Sequence, residues 1–164
     1  MAKMQVEGLE EYTLALESLS NNSEKILKKS VYKGAGIVAD AIKSELRGLP
    51  IDNSFGSEEN QIRGLSNKQK GDLINGMGIS PIKHDGDYIN AKVGFDGYGS
   101  IPTKKYPKGV PNQLVARSVN SGTSFRKKNP FVNRAVNKSK KEAQKLMAEV
   151  IDEEIKKGVE INGN

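Results

Sequence analysis

The chain contains no cysteine and no tryptophan, and aromatic residues make up 5% of its 164 residues. The absence of cysteine excludes disulfide bonds, thiolate metal sites and cysteine nucleophiles, and it suits a reducing cytoplasm. Hydrophobic residues make up only 35% of the chain, whereas glycine occurs 17 times. We therefore expect one domain with a core that is small for its length, and with much of the chain in loops or dependent on partners.

Long hydrophobic runs are also absent. The first residues, Met1 to Glu7, lack the apolar segment of a secretory signal. No stretch approaches the ~20 apolar residues that a transmembrane helix needs. These features predict a protein that is soluble and intracellular when it is made.

Charge is distributed unevenly along the chain. Residues 1–60 carry 7 basic and 10 acidic groups, residues 61–141 carry 16 and 4, and residues 142–164 carry 3 and 6. The net charge of +6 therefore comes from a strongly basic middle between acidic ends. Such a middle is typical of proteins that bind nucleic acid or acidic protein. It is equally suited to a homo-oligomer in which the middle of one copy meets the ends of the next.

Apolar periodicity predicts helices at both ends of the chain. One helix is expected from Leu9 to Leu19, broken by the polar residues 20–23, and a second over about residues 23–47, ended by Gly48 and Pro50. A short helix is expected over residues 113–120. The Asn129-Pro130 pair predicts the start of a last helix that runs to about Lys157 and ends at Gly158.

The middle of the chain carries the strand signals. Met77, Ile79 and Ile82 indicate a strand, Asp85-Gly86 indicates a tight hairpin turn, and residues 88–95 alternate as one strand buried on one face. Two long loops flank this region. Residues 48–71 are polar with few apolar anchors, and residues 97–112 contain three prolines and three glycines.

These elements predict a single α+β domain over residues 1–164. A small antiparallel sheet packs against the N-terminal and C-terminal helices, because two or three strands are marginal without a covering helix. The loops at about 48–71 and 97–112 are predicted to be flexible.

Candidate catalytic chemistry is sparse. His84 is the only histidine, and beside a hairpin turn it is more typical of a solvated side chain than of a catalytic or metal-binding one. Asp85 and Asp87 suggest a metal site, but Asp and Gly also simply build such turns. The glycines at 94, 97 and 99 are not followed by a helix and do not match a dinucleotide fingerprint. We expect no enzymatic activity, no cofactor and no metal.

A run of cations without an intervening acid extends from Arg126 to Lys141. Phe125 directly precedes this run and Phe131 lies within it. Cations next to aromatic rings suit phosphate contact combined with base stacking. A solvated helix start explains the same cations. A third interpretation is a subunit interface, in which Phe131 is a buried anchor and Arg126 pairs with the carboxylate of a neighbour. Because basic charge near a helix N-terminus is unfavourable without a nearby anion, the interpretations with a partner are favoured over the solvated one.

The chain resembles a family of tailed-phage (siphophage) morphogenesis proteins, the head–tail connector, tail-completion and minor capsid proteins. The specific part of the resemblance is Gly122-Thr123-Ser124 followed by the Asn129 to Val136 segment. Weaker similarities lie at Val6 to Glu11, at Val38 to Lys43, at Gly71-Asp72-Leu73 with Ile79, and at Val93-Gly94-Phe95.

The resemblance implies a non-enzymatic virion protein that joins head to tail, or completes the tail, as a homo-oligomeric ring. Its expected locations are the head–tail junction or tail end, and the host cytoplasm during assembly. Its expected partners are further copies of itself and neighbouring connector or tail-tube proteins. A monomer in solution before assembly and a transient contact with DNA are left open, and membrane contact is not expected. The alternative is a basic nucleic-acid-binding accessory protein that uses residues 104–141. The predicted interface comprises Tyr98, Lys104, Lys105, Tyr106, Gly122, Thr123, Ser124, Phe125, Arg126, Lys127, Lys128, Phe131 and Arg134.

Overall fold

The computed structural model describes residues 9–86 and 88–161, with side chains described for residue 14 and for residues 16–86 and 88–159. The described part is α+β, as predicted: long helices lie at both ends of the chain and short antiparallel strands lie between them. Val6 to Gly8, expected to be extended, and Asp87 lie outside the described residues. The elements in chain order are α1 Leu9–Arg47, α2 Asn67–Gly76, β1 Met77–Ile79, β2 Lys83–Asp85, β3 Tyr88–Asn90, β4 Val93–Phe95, α3 Asn112–Ser121 and α4 Phe131–Ile161.

Helix α1 is continuous through residues 20–23, so the predicted break is wrong. The polar side chains there do not cap a new helix. Asn22 Nδ2 donates to the carbonyl of Ser18 (2.9 Å) and Ser23 Oγ donates to that of Ser20 (2.8 Å), and both bonds stay within the preceding turn. The helix ends at Arg47, just before Gly48, as predicted.

Helix α4 packs along α1. Lys29 Nζ lies 2.7 Å from Glu154 Oε1, and Ser30 Oγ donates to the carbonyl of Met147 (3.0 Å). The helix starts at Phe131, as the Asn-Pro pair predicts, but Gly158 does not end it. A Cβ at Gly158 would lie 3.2 Å from Leu19 Cδ2. The glycine therefore lies at a close approach to α1 rather than at a helix end.

The predicted hairpin is present, with β2 paired to β3 around Gly86 (φ 62°). The predicted single strand over 88–95 is wrong, because it divides into β3 and β4. Strand β4 pairs with β1, placing Phe95 opposite Met77. Between the two pairs, Pro81 has no N–H to continue a ladder, and Lys92 N instead donates to Ser80 Oγ (2.9 Å). The same interruption leaves Ile82 outside any strand.

The core joins both long helices to segments that the sequence pattern assigned to loops. Its buried side chains are Ile42, Leu46, Leu49, Leu65, Leu73, Phe95, Val115, Ala116, Val119, Phe131 and Ala135. Leu49 and Leu65 belong to the predicted polar loop 48–71, and Ile62 in the same loop is also buried. These apolar anchors hold the loop against the domain. Whether loops 48–71 and 97–112 are flexible stays a prediction.

The predicted loop 48–71 is also shorter than expected, because its last residues are helical. Ser66 Oγ accepts from the backbone N–H of Gln69, and the Gln69 side chain accepts from the N–H of Ser66. This Ser-x-x-Gln capping box satisfies N–H groups at the start of α2. Helix α2 therefore begins at Asn67, and Gly71 lies inside it.

Candidate functional site

The loop between β4 and α3 is closed at its base by backbone hydrogen bonds. Asn112 N donates to the carbonyl of Gly97 (3.0 Å), and Gly99 N donates to that of Val110 (2.8 Å). Gly109 has a φ of +104°, and a Cβ there would lie 1.7 Å from the Gly99 carbonyl oxygen. Only glycine fits this contact, so the two sides of the loop are held directly against each other.

Asp72 of α2 fastens this loop to the domain. Its Oδ2 accepts from the backbone N–H of Ser100 (2.7 Å) and from the Ser100 hydroxyl (3.0 Å). Further along, Thr103 and Tyr106 exchange backbone hydrogen bonds of 3.0 and 3.1 Å and form a turn. Tyr106 of this turn and Leu114 and Val115 of α3 line the same cleft.

The Gly-Thr-Ser segment after α3 forms a tight turn that pairs with the loop 48–66. Gly122 has a φ of 78° and caps α3 through a bond from its N–H to the Ser118 carbonyl. Thr123 N then donates to the Arg126 carbonyl (2.9 Å). Ile62 N donates to the Phe125 carbonyl (3.0 Å), and Lys127 N donates to the Ile62 carbonyl (2.9 Å). Phe125 and Arg126 therefore lie directly beside Ile62.

These three segments and α3 enclose a cleft of about 590 Å³, within the size range of pockets that accept ligands or protein side chains. Its apolar lining residues are Phe55, Ile62, Ile101, Tyr106, Val110, Leu114, Val115 and Phe125. The Phe55 side chain is fully exposed (100%), and Phe125 and Leu114 are 43% and 41% exposed. Three apolar side chains thus lie open to solvent at one cleft.

Arg126 lies at the floor of the cleft and is only 3% exposed. Its guanidinium donates to the carbonyl of Gly64 and, through Nη2, to Gln69 Oε1 (3.2 Å). Both acceptors are neutral, and no ion pair of Arg126 occurs among the residues that the structure describes. Burial lowers the pKa of this guanidinium, and the charge of Asp52 opposes that shift. Since arginine remains protonated in proteins, the cleft floor carries a positive charge.

Asp52 is the acidic residue whose charge acts on the Arg126 guanidinium. Its pKa is held below the ordinary value mainly by the Ser54 hydroxyl, then by the backbone N–H groups of Ser54 and Arg63, and least by Arg126. The carboxylate is therefore occupied chiefly by its own loop. Two polar atoms near the floor, Nε of Arg126 and Oγ1 of Thr123, are buried without a hydrogen-bond partner in the described part of the chain.

The structure divides eleven of the thirteen predicted interface residues into three groups. Tyr106, Phe125 and Arg126 line the cleft. Exposed side chains around its segments are Tyr98, Lys104, Lys105, Ser124, Lys127 and Lys128. Lys105 Nζ lies 5.6 Å from the centroid of the Tyr106 ring. Gly122 and Thr123 are half-buried and shape the turn.

Three of the thirteen residues are held within the chain itself. Phe131 is fully buried (0% exposed) and belongs to the core rather than to an interface. Arg126 is buried and bonded within its own chain, so it does not face outward as Lys127 and Lys128 do; whether it also pairs with a neighbour's carboxylate stays a prediction. Arg134 Nε lies 3.0 Å from Glu45 Oε2 of α1. The Glu45 carboxylate also forms an ion pair with Lys138. Two cations of the basic run are therefore paired within the chain.

Several cleft residues were missed by the sequence analysis, notably Phe55, Ile101 and Leu114. Phe55 had one available signal: it is the single aromatic residue in the polar segment 48–71. The others give no local signal, because their neighbours in the cleft come from distant parts of the chain.

The remaining candidate chemistry lies outside the cleft. His84 Nε2 lies 2.9 Å from Glu24 Oε1 on an exposed surface. No group of three or more His, Asp or Glu side chains within the described ranges is arranged to hold a metal ion. Among the described helices, none has the length and apolar character that a membrane crossing requires.

The chain was compared with protein-family models, curated proteins and solved structures. No protein-family model, no curated protein and no solved structure matches this chain.

Proposed function

We propose that this chain is a non-enzymatic structural protein of a tailed phage or prophage, which acts in head–tail joining or tail completion by assembling into a ring. The observation that carries the proposal is the cleft between the two long loops, where a fully exposed Phe55 borders the Gly-Thr-Ser segment that resembles the phage family. Exposed apolar side chains around a concave surface mark sites of protein–protein contact.

The arrangement of the basic run favours a protein partner over nucleic acid. Arg126 is buried, and Arg134 and Lys138 are paired with Glu45. Stacking on bases needs exposed rings, but Phe131 is buried and Phe125 alone remains partly exposed in this segment. The cations that remain free to contact phosphate are therefore fewer than the sequence suggests.

Deletion of the coding sequence from the phage or prophage genome that carries it tests the proposal. We expect particles with unjoined heads and tails, or with incomplete tails, visible by electron microscopy, and a loss of infectious virions. Complementation with the unaltered chain should restore infectivity. Complementation with the Phe55→Ser, Phe125→Ser double variant should fail, whereas Tyr88→Ser, a change at a 77% exposed ring outside the cleft, should restore it. Intact, infectious virions from the deletion strain would refute the proposal.

Nucleic-acid binding is separated from this function by its dependence on salt. A protein that binds through phosphate contacts loses affinity steeply as salt increases. We expect no mobility shift of duplex or single-stranded DNA at low salt. A strong shift that disappears with salt, and that requires Lys127 and Lys128, would instead favour the accessory-protein alternative.

A further inference from the structure

We propose that the cleft binds the end of helix α4 of a second copy of this chain, in a head-to-tail contact. The inference rests on the proposed function and deepens it, because it names the partner of the cleft and the surface that this partner uses.

The lining of the cleft determines which occupant it can accept. Its walls are apolar, with Phe55, Phe125 and Leu114 open to solvent. Its floor holds Arg126, a buried cation whose donors reach only neutral acceptors. Burial of a charge is costly unless an opposite charge or hydrogen bonds compensate it. An occupant that brings apolar side chains and a carboxylate together therefore fits best.

The charged residues of the segments that bound the cleft add to this requirement. Three exposed lysines at positions 104, 105 and 108 lie on the loop 97–111, which carries no acid. Lys127 and Lys128 follow the turn and are also exposed. On the opposite side, the loop 48–66 supplies three acids, Asp52, Glu58 and Glu59, of which Asp52 lines the cleft, and one cation, Arg63. Summed over these segments, five lysines and Arg63 exceed three acids, and this positive balance favours an acidic partner.

The end of α4 supplies this combination. Ala148, Asp152, Ile155 and Val159 follow one another at helical spacing and are all exposed. This stripe faces away from α1, because the side of α4 that packs on α1 carries Val150 and Glu154. Ile155 and Val159 are 40% and 51% exposed. Within the described residues Asp152 makes no ion pair.

The two surfaces differ in composition and come from different regions of the chain. A contact between them is therefore heterologous, and heterologous contacts close into rings or continue as filaments. The charge pattern along the sequence, a basic middle and acidic ends, is consistent with the head-to-tail arrangement.

Disulfide trapping tests the contact directly, because the chain has no cysteine of its own. Two full-length variants of different tag length are prepared, Phe55→Cys and Ile155→Cys, and are mixed under mild oxidation. We expect the mixed disulfide dimer to form about tenfold faster than with a matched control, a preference of ~1.4 kcal/mol. In the control, Tyr88→Cys, exposed at 77% on β3, replaces Phe55→Cys. Added salt should slow the mixed reaction, since the rim charges are exposed.

Charge reversals at the two surfaces provide a second test, which does not depend on how reactive each introduced thiol is. Lys127→Glu with Lys128→Glu, introduced into the Phe55→Cys chain, should slow the mixed disulfide, and Asp152→Lys in the Ile155→Cys chain should restore part of the rate. All these positions are exposed, and circular dichroism checks that each variant is folded. A mixed rate equal to that of the Tyr88→Cys control overturns the inference.

The disulfide experiment and the deletion experiment can give different results, so the failure of one proposal is distinguishable from the failure of the other. If the mixed disulfide fails to form but deletion still prevents head–tail joining, the cleft binds another virion protein, and this inference falls while the function stands. If the mixed disulfide forms but the deletion strain yields infectious virions, the self-contact stands and the phage function falls.

Discussion

The guanidinium of Arg126 donates a hydrogen bond to the backbone carbonyl of Gly64, across more than sixty residues of sequence. This bond joins the Gly-Thr-Ser-Phe-Arg turn to the loop that precedes α2. It forms the floor of the cleft and explains why a side chain in a basic run is buried. One cation of the basic run thereby becomes part of the interior, whereas the adjacent Lys127 and Lys128 stay exposed.

Replacing Arg126 with methionine should destabilise the fold. The change removes two hydrogen bonds and leaves the Gly64 carbonyl without this donor, at a cost of about 1–3 kcal/mol in the free energy of unfolding. Urea denaturation followed by circular dichroism measures the loss. Lys127→Met is the matched control, because Lys127 is adjacent and exposed, and it should change stability little. Equal stabilities of the two variants would show that the buried guanidinium contributes nothing.

Phe131→Ala should destabilise the core by ~3–5 kcal/mol, as large-to-small changes at fully buried aromatic residues do. Phe131 is 0% exposed, and its ring centroid lies 6.1 Å from that of Phe95. The same urea experiment with Phe55→Ala should show a loss of about 0.5 kcal/mol or less, since Phe55 is fully exposed. An unchanged melting temperature for Phe131→Ala would contradict the position of this ring in the core.

Gly64→Ala and Gly71→Ala should have opposite effects on stability. A Cβ at Gly64 would lie 1.9 Å from the carbonyl oxygen of Pro50, so the backbone must move. At Gly71 a Cβ meets nothing within 4 Å, and the residue lies inside α2, where alanine is favoured over glycine by up to about 1 kcal/mol. Thermal unfolding should therefore show a lower Tm for Gly64→Ala and an equal or higher Tm for Gly71→Ala. The reverse order would refute the close approach.

Acid should remove the stabilisation provided by Glu45. Its carboxylate receives Lys138 Nζ (2.6 Å) and Arg134 Nε (3.0 Å), and the Lys138 hydrogen bond, followed by that of Arg134, holds its pKa below the ordinary value of 4.5. A pKa that is lower in the folded state means stabilisation that is fully present above 4.5 and is lost as the pH falls through the lowered pKa.

The measurement is the urea midpoint of the unaltered chain and of Glu45→Gln over a range of pH. The difference between the two should be largest near neutral pH and should shrink below pH 4.5. Glu59→Gln, at an exposed position of the loop 48–66, serves as the control. A difference that stays constant down to the lowest pH would exclude an electrostatic origin.

Elements that depend on neighbouring residues were predictable from the sequence. Gly48 with Pro50 ends α1, Asp85 with Gly86 turns the hairpin, and Asn129-Pro130 precedes α4, because each acts through its own backbone conformation. The α+β class followed from these local signals together with helical and strand periodicity.

Three features depended on contacts between distant residues and were not predictable from such signals. Helix α1 continues through residues 20–23 beside α4, whose Gly158 lies close to Leu19 of α1. The strand over 88–95 is divided because its two halves pair with different segments, β3 with β2 and β4 with β1. The loop 48–66 is held by Leu49 and Leu65, whose burial depends on side chains brought from elsewhere.

The sequence by itself determined the fold class, the local chain reversals and the uneven charge, because these follow from composition and from interactions over a few residues. Only the tertiary structure decided which charged and aromatic side chains are accessible. It buried Arg126 and Phe131, paired Arg134 with Glu45 and left Phe55 open at the cleft. The physical reason is that burial is set by what packs against a side chain, and those partners are far away in sequence.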